Sequence, residues 1–315
     1  MILTTRIKIL LSLVVVLSIA AWFTVKEKRT GSTFNEDLAV SIADTSSVYE
    51  IGYQSDEING VLRRDRNNVW IINEKYPTRI QLSDLLLFGI AKLEIRRPVS
   101  EENKQKVYEK LKSEGIRVNV KEKDGEHVFH VLSNDNDPNS SYFLKEGSDT
   151  PYITYVPGFT GNLTNLLTLS ENDWRSRTVF ASDNRSLQKI KVHYPESEED
   201  DFEIKYQEGS FGIAGINPID TMKLVNYLQS FVMVNVSGFV DNPDSLREEL
   251  ANLQPKAILE VEDMLKERSN ELLIYKPKDE KYWFGLVKAI NEPVILRNEL
   301  VERLLPVKED FVYKQ

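Results

Sequence analysis

Residues 116–132, IRVNVKEKDGEHVFHVL, decide the fold, because they carry the strongest local structural signal in the chain. Two runs of alternating apolar residues flank Asp124-Gly125, a pair preferred in the two-residue turns of β-hairpins. A turn at this pair would place Val118 opposite Val131 on one apolar face. The pattern therefore predicts an antiparallel hairpin.

The three histidines of the chain are predicted to be structural. In the hairpin, His127 would face Glu122 near the turn, and His130 would face Asn119 on the other side of the sheet. Residues three apart on a strand point to opposite faces, so these two histidines cannot share a metal ion. His193 lies in a separate predicted strand, KIKVHY.

Three short β-rich runs precede the hairpin, at Ser46–Tyr53, Gly60–Asp65 and Asn68–Asn73. Polar turns separate them, as in an antiparallel meander. Trp70 is expected to fill the core at the end of this meander, since buried aromatic residues mostly serve packing.

Two helices are predicted between the meander and the hairpin. In the first, apolar residues recur at helical spacing, with Ser83 or Asp84 as candidate caps. The residues expected to face the core are Leu82, Leu85, Leu86, Ile90 and Leu93. The second spans Ser100–Ser113, with Val107 and Leu111 on one face.

From Ser186 the order of elements recurs at an offset of roughly 140 residues, the kind of self-similarity that indicates a duplicated module. The helical run DTMKLVNYLQSF matches LSDLLLFGIAKL, which predicts that Leu224, Val225 and Val232 face a second core. Near the end of the second half, Asp310-Phe311 corresponds to Asp173-Trp174 of the first half.

The predicted fold class is α+β, with two tandem similar domains, each a mostly antiparallel sheet with helices on one face. The predicted organisation is an N-terminal transmembrane helix with its flanks (1–29), a linker (30–45), a first repeat (46–182) and a second repeat (183–315).

The N-terminal segment is predicted to be a membrane anchor. Ile9–Val25 contains no charged residue, and as a helix it would be roughly 26 Å long, near the lower limit for crossing a bilayer. The alternative is a cleaved signal peptide ending near Ser18-Ile19-Ala20. Either interpretation places the remaining chain outside the cytosol, and the anchored one places it on the outer side of the inner membrane.

Composition excludes several classes of function. Residues 30–315 contain 35 basic and 48 acidic residues, a net charge of −13, which disfavours nucleic acid as a partner. The chain has no cysteine, so disulfides, thiolate catalysis, iron–sulfur clusters and a lipoprotein anchor are excluded.

Several stretches together resemble a family of bacterial envelope proteins known only as a domain of unknown function. The stretches are the apolar N-terminal run, VWIIN with the helix that follows, EGSDTPYITYVPGF and NDWRSRTVF. This resemblance implies a single-pass anchored protein with duplicated α+β modules. Some members of the family are encoded beside gliding-type ABC transporter components. The family has no assigned catalytic residues, so the resemblance implies none here.

Motifs that would indicate chemistry are weak. Asp135-x-Asp137-x-Asn139, with Glu146 at the twelfth place, resembles a calcium loop but lacks its glycine and is interrupted by Pro138. Glu198–Asp201 is expected to be a solvated acidic loop. No nucleophile elbow, zinc-protease motif or phosphate-binding loop occurs in the sequence. We therefore assign no catalytic, cofactor-binding or metal-binding residue and predict no cofactor.

The candidate surface for a partner or ligand consists of Phe159, Trp174, Arg175 and Arg177. A helix-end packing motif is the competing interpretation of Asp173-Trp174-Arg175. The function predicted from the sequence is a non-enzymatic, membrane-anchored scaffold or accessory protein of an envelope complex, whose partners are the membrane and other envelope proteins. The alternatives are a ligand-binding module at an inter-domain cleft and an envelope hydrolase that uses two carboxylates.

Overall fold

The computed structural model describes residues 42, 44–276 and 282–313. The predicted anchor at residues 9–25 and most of the predicted linker lie outside these residues. Among the described residues, no helix combines the length and the apolar character needed to cross a bilayer.

The described chain is a mixture of helices and strands. Up to residue 168 its elements are β1 (Val48–Gln54), β2 (Asn59–Arg64), β3 (Trp70–Ile72), β4 (Tyr76–Pro77), α1 (Ile80–Ala91), β5 (Glu94–Pro98), α2 (Glu101–Ser113), β6 (Ile116–Glu122), β7 (Gly125–Ser133), β8 (Ser140–Lys145), β9 (Tyr152–Tyr155) and α3 (Thr164–Leu167). The later elements are α4 (Glu171–Trp174), β10 (Thr178–Phe180), β11 (Leu187–His193), β12 (Phe202–Gln207), β13 (Ser210–Ile213), α5 (Thr221–Gln229), β14 (Val234–Asn235), β15 (Gly238–Phe239), α6 (Pro243–Ala251), β16 (Ala257–Asp263), β17 (Asn270–Tyr275), β18 (Trp283–Val287), β19 (Glu292–Leu296) and α7 (Asn298–Leu304). Short 3-10 turns occur at Glu198–Asp200, Lys266–Arg268 and Lys308–Phe311.

The chain folds into two compact units, each assembled from two segments. The first unit contains the described residues up to 61 together with 84–168, and the second contains 62–83 and the described residues from 169 onward. The predicted domain limits at 46–182 and 183–315 stay a prediction.

The first unit is built on an antiparallel sheet in the order β1-β6-β7-β8-β9-β5. Alternation along β6 buries Ile116, Val118 and Val120, as the period of a half-buried strand requires. Phe129 and Phe143 pack on the same core with ring centroids 5.1 Å apart. Helix α2 buries Val107 and Leu111, as predicted.

The second unit contains an eight-stranded antiparallel sheet in the order β13-β12-β11-β16-β17-β18-β19-β15. Its core includes an aromatic cluster, because Phe311 lies 5.3 Å from Phe202 and 5.4 Å from Tyr227, measured between ring centroids. The antiparallel ladder of β2 (from Leu62), β3 and β4 belongs to the same unit. The prediction of an α+β chain with mostly antiparallel sheets is confirmed.

The order β1-β6-β7-β8-β9-β5 corresponds strand by strand to β11-β16-β17-β18-β19-β15. The correspondence follows the order of elements that the sequence repeats. That the two halves arose by duplication stays a prediction.

The predicted register of the central hairpin is wrong by two residues. Val118 pairs with Phe129, and the turn is Lys123-Asp124, because Glu122 pairs with Gly125. Neither turn residue has the positive φ of a type I′ turn. A slip of two residues keeps the same side chains on each face, so the alternating pattern cannot detect it.

The predicted start of the first helix is also wrong. Helix α1 begins at Ile80, and neither Ser83 nor Asp84 caps it. Ser83 is instead buried inside the first turn, where its hydroxyl lies 2.5 Å from the Thr78 hydroxyl. A buried hydroxyl needs such a partner, and Thr78 lies five positions before Ser83, outside the helix. Trp70 is buried, as predicted.

Candidate functional site

The segment Ser170–Arg177 carries three of the four predicted surface residues. Its helix α4 is held by a capping box: the Asp173 N–H donates to Ser170 Oγ (3.2 Å) and the Ser170 N–H donates to the Asp173 carboxylate (3.2 Å). Trp174 ends the helix with its side chain fully buried. Its full burial makes the ring part of the core, and its indole N–H has no hydrogen-bond partner among the described residues.

Arg175 is a buried cation enclosed by aromatic rings and a carboxylate. Its guanidinium carbon lies 3.5 Å from the centre of the Tyr76 ring and 3.7 Å from that of Phe239. Nη2 donates to Glu292 Oε2 at 2.6 Å, and Nη1 donates to Asn172 Oδ1 at 3.2 Å. The Tyr76 hydroxyl donates to the other Glu292 oxygen at 3.1 Å. Glu292 therefore neutralises the charge that burial would otherwise leave unpaired.

The four predicted surface residues do not form one exposed surface. Trp174 and Arg175 lie together in the interior of the second unit. Arg177 is half-buried in the same unit, with Nη2 3.8 Å from Asp173 Oδ1. Phe159 is half-buried in the first unit. A binding role at Arg177 or Phe159 stays a prediction, whereas Trp174 and Arg175 expose almost no area.

The segment that resembles a calcium loop directs its carboxylates to cations of the protein. Asp137 Oδ2 accepts a hydrogen bond from Arg96 Nη1 at 2.8 Å, and Asp135 lies 3.3 Å from Lys110 Nζ. The Arg96 guanidinium and then the Asn139 N–H hold the pKa of Asp137 below its usual value. Within the described residues, no group of three or more possible ligands is placed to hold a metal ion.

The histidines have separate partners. His127 contacts Glu122 at 2.8 Å, and His193 contacts Asp201 at 2.6 Å. His130 is buried, and its Nε2 lies 3.1 Å from both Lys112 Nζ and Glu146 Oε2. Burial and the Lys112 charge lower the pKa of His130, which favours the neutral ring.

Two of the cavities formed by the described residues lie in the first unit. The larger, about 400 Å³, is lined by hydroxyl groups and exposed acids: Ser55, Asp56, Glu57, Ser113, Glu114, Ser133, Thr164 and Thr168, with apolar neighbours. The second, about 340 Å³, is lined by Arg97, Lys106 and Lys110 among others.

The carboxyl groups with a displaced pKa do not resemble a general acid. Lys112, first among its contacts, lowers the pKa of Glu146. Burial would raise the pKa of Asp263, but the Leu265 N–H and the Ser186 hydroxyl outweigh it, and the pKa lies below its usual value. Asp137, Glu146 and Asp263 thus favour the charged form, whereas a glycosidase acid must hold its proton. The hydrolase alternative stays a prediction, and these pKa values do not identify a pair of carboxyl groups for it.

The feature that the sequence interpretation missed is an exposed apolar surface on and after α5. Val225 and Val232, predicted to face the core, are 39% and 49% exposed. Leu224 is buried, as predicted, and Tyr227, Leu228 and Phe231 fill the core in place of the two valines. Helix α5 therefore has two apolar faces, one buried and one open to solvent. The sequence contained a sign of this second face. The helix has more apolar residues than the single side that faces the core can hold.

Comparison with known proteins gives a family and no function. The family model described as "Domain of unknown function (DUF4340)" matches residues 70–257, more than half of the chain. No curated protein and no solved structure matches.

Proposed function

The chain belongs to this family of domains of unknown function, and on that premise we propose that it is a non-enzymatic, membrane-anchored scaffold or accessory protein that docks an envelope partner. The observation that supports the docking role is the exposed apolar surface at α5. The anchor and the extracytoplasmic location are supported by the apolar run Ile9–Val25 and by the family resemblance.

We call this surface the methionine face and define it by Met222, Val225, Val232 and Met233, on or just after α5, and by Met264 and Leu265, after β16. The chain has four methionines, and the three after Met1 all lie on this face, with exposures of 75%, 58% and 66% for Met222, Met233 and Met264. Exposed methionine is common on surfaces that adapt to apolar partners, because its side chain is flexible and polarisable.

The parts of the methionine face are joined by the segment Asp183–Ser186. Asp183, Asn184 and Arg185 line a shallow depression with Gln229 and Val232. The Met264 N–H donates to the Ser186 carbonyl at 2.8 Å. The exposed charges of Asp183, Arg185 and Lys223 give the apolar patch a polar rim of both signs, as docking surfaces commonly have.

The occupant that we propose is an apolar or amphipathic helix of a membrane-complex subunit. Met222 and Val225 are three positions apart in α5 and form a short exposed stripe on one side of the helix, and Val232 follows soon after the helix ends. A stripe of this shape suits packing against another helix. The neighbourhood of ABC transporter genes in the resembling family makes a transporter subunit the partner class that we favour.

Site-specific photo-crosslinking in membranes tests this proposal. A photoreactive residue at Val225 or Met233 should yield an adduct with an integral membrane subunit, and the site on that subunit should map to an apolar helix. The matched control is Val69, which is 42% exposed in the same unit but lies outside the methionine face. Adducts only between copies of this chain, or equal adducts from Val69, would contradict the proposal.

A charge substitution provides the second arm. Val225→Glu should abolish co-purification of the crosslinked subunit while leaving the melting temperature unchanged, because the side chain is exposed.

The location is tested separately by adding protease to spheroplasts. Loss of the C-terminal portion from a membrane-bound chain supports the predicted orientation, and protection until lysis contradicts it.

A further inference from the structure

Backbone and side-chain hydrogen bonds connect the segments that carry three arginines of the second unit. Arg79 lies directly before α1, and its N–H donates to the Trp174 carbonyl at 2.8 Å. Arg177 follows three positions later, and its carbonyl accepts the Val236 N–H at 2.9 Å. The next residue, Ser237, accepts a hydrogen bond on Oγ from Arg297 Nε at 3.3 Å.

We propose that Arg79, Arg177 and Arg297 form a binding site for a phosphate group. The guanidinium of arginine presents paired donors that match the oxygens of phosphate, and two or three guanidiniums together recognise a dianion. We call this set the arginine cluster.

The donors of the arginine cluster are largely unused. No hydrogen bond or ion pair joins the Arg79 side chain to any other residue that the structure describes. Arg177 Nε is buried and has no hydrogen-bond partner within the same described part of the chain. The Arg177–Asp173 contact, at 3.8 Å, is too long for a direct hydrogen bond. Arg175 does not belong to the cluster, because Glu292 already neutralises it.

The electrostatics of the arginine cluster favour an anion. Burial lowers the pKa of Arg177, the charges of Arg79 and Arg297 lower it further, and Asp173 acts in the opposite direction. Three cations with one nearby carboxylate repel one another, and a bound dianion would relieve that repulsion.

The phosphate could be carried by a lipid headgroup or by a free ion, and the experiment separates these sources. The full chain in neutral detergent is titrated with inorganic phosphate and with pyrophosphate. In a second arm it is mixed with micelles that contain phosphatidic acid or only phosphatidylcholine. The readout in both arms is the melting temperature, with calorimetry for affinity.

We expect at least one phosphate-bearing probe to raise the melting temperature of the wild-type chain. Arg177→Gln and Arg297→Gln should each weaken that binding at least tenfold without changing the melting temperature in the absence of the probe. Arg303→Gln, an exposed arginine on α7 outside the cluster, should bind as the wild type does. A response to phosphatidic acid alone identifies a lipid source, and a response to the soluble anions identifies a free one.

Two results would overturn the inference. One is the lack of any shift with phosphate, pyrophosphate or phosphatidic acid. The other is an equal loss of binding in Arg177→Gln and Arg303→Gln, which would mean that the response depends on overall charge. If either variant fails to fold, Arg177→Lys keeps the test valid, because it retains the charge and loses the paired donors.

Discussion

Two segments of the second unit, Ser170–Ser176 and Val307–Tyr313, make the same backbone contacts but differ in the surroundings of their side chains. In the first, the Trp174 carbonyl accepts the Arg79 N–H at 2.8 Å, directly before α1. In the second, the Phe311 carbonyl accepts the Asp220 N–H at 2.8 Å, directly before α5. Each segment thus fixes the residue that precedes an amphipathic helix.

The difference lies in the residue after the buried aromatic. Arg175 forms a β-bridge with Thr78, and Val312 forms the equivalent bridge with Ile219. Arg175 is buried between two rings and paired with Glu292, whereas Val312 is 38% exposed. The backbone arrangement therefore fixes the position of the residue after the aromatic. The neighbouring side chains determine whether that residue is buried and forms an ion pair.

The strands of the two halves share a backbone irregularity and also a side-chain contact beside it. A register shift occurs in β1 between Val48 and Glu50, and another occurs in β11 between Leu187 and Lys189. Next to these shifts, the Ser47 hydroxyl donates to Glu122 at 2.6 Å, and the Ser186 hydroxyl donates to Asp263 at 2.7 Å. The four predictions below test how far the equivalence of the two helix-end segments extends.

The largest expected effect is the loss of the ion pair that only the first segment has. Glu292→Ala leaves the Arg175 charge buried without a carboxylate and should lower the free energy of unfolding by about 3–5 kcal/mol. The measurement is urea denaturation of the full chain, followed by tryptophan fluorescence. The control is Asp244→Ala, since Asp244 is 86% exposed in its pair with Arg247 and should cost at most about 1 kcal/mol.

A paired replacement makes this first test sharper. Arg175→Met combined with Glu292→Leu removes both charges and should recover most of the stability that Glu292→Ala loses. Equal losses in Glu292→Ala and Asp244→Ala would show that the buried pair carries no special energetic role, and the contrast between the two segments would disappear.

The sequence predicted the backbone part of this comparison better than the side-chain part. The correspondence of Asp310-Phe311 with Asp173-Trp174 follows from local patterns, because capping and burial of an aromatic depend on neighbouring residues. The partner of Arg175 could not be predicted in this way, since Glu292 lies 117 positions away along the chain. Patterns of alternation predict that a residue is buried, but they do not predict which distant residue it contacts.

The same limit explains the errors in the hairpin and in α5. Alternation fixes the faces of β6 and β7 but tolerates a two-residue slip, so the turn at Lys123-Asp124 was missed. In α5, Val225 is as apolar as Leu224, and only the packing shows that one is exposed and the other buried. The arginine cluster likewise depends on contacts between segments that are distant in sequence.

The second prediction exchanges the two buried aromatic residues. Phe311→Trp adds volume beside Phe202 and Tyr227 and should cost about 1–3 kcal/mol. Trp174→Phe should change stability by less than about 1 kcal/mol, because the small cavity it leaves is offset by removal of an indole N–H without a described partner. Both are measured by urea denaturation, and a larger loss for Trp174→Phe would show that the indole has a role beyond packing.

The third prediction concerns the caps. Ser170 and Val307 have similar extended backbones, with φ and ψ of −67° and 162° for the first and −85° and 155° for the second. In both segments an aspartate accepts the N–H of this residue, at 3.2 Å for Asp173 and 3.1 Å for Asp310. Only Ser170 has a hydroxyl that returns a hydrogen bond.

Ser170→Ala should therefore cost about 1 kcal/mol, and Val307→Ser should add about 0.5–1 kcal/mol by completing the second capping box. Val307 is 39% exposed, so its replacement loses little apolar burial. Thermal unfolding of the two variants in parallel checks the opposite signs. A destabilised Val307→Ser chain would show that the segments are equivalent in backbone trace only.

The smallest effect is expected when the second segment is given the arginine of the first. Val312→Arg should change the free energy of unfolding by no more than about 0.5 kcal/mol, because a side chain starting from an exposed position can keep its charge in water. The reverse substitution, Arg175→Val, should cost several times more, since it leaves the Glu292 carboxylate partly buried without its cation. Urea denaturation of both variants measures the ratio. If Val312→Arg is as harmful as Arg175→Val, then the position after the aromatic is intolerant of exchange in both segments, and burial at Arg175 does not explain the difference between them.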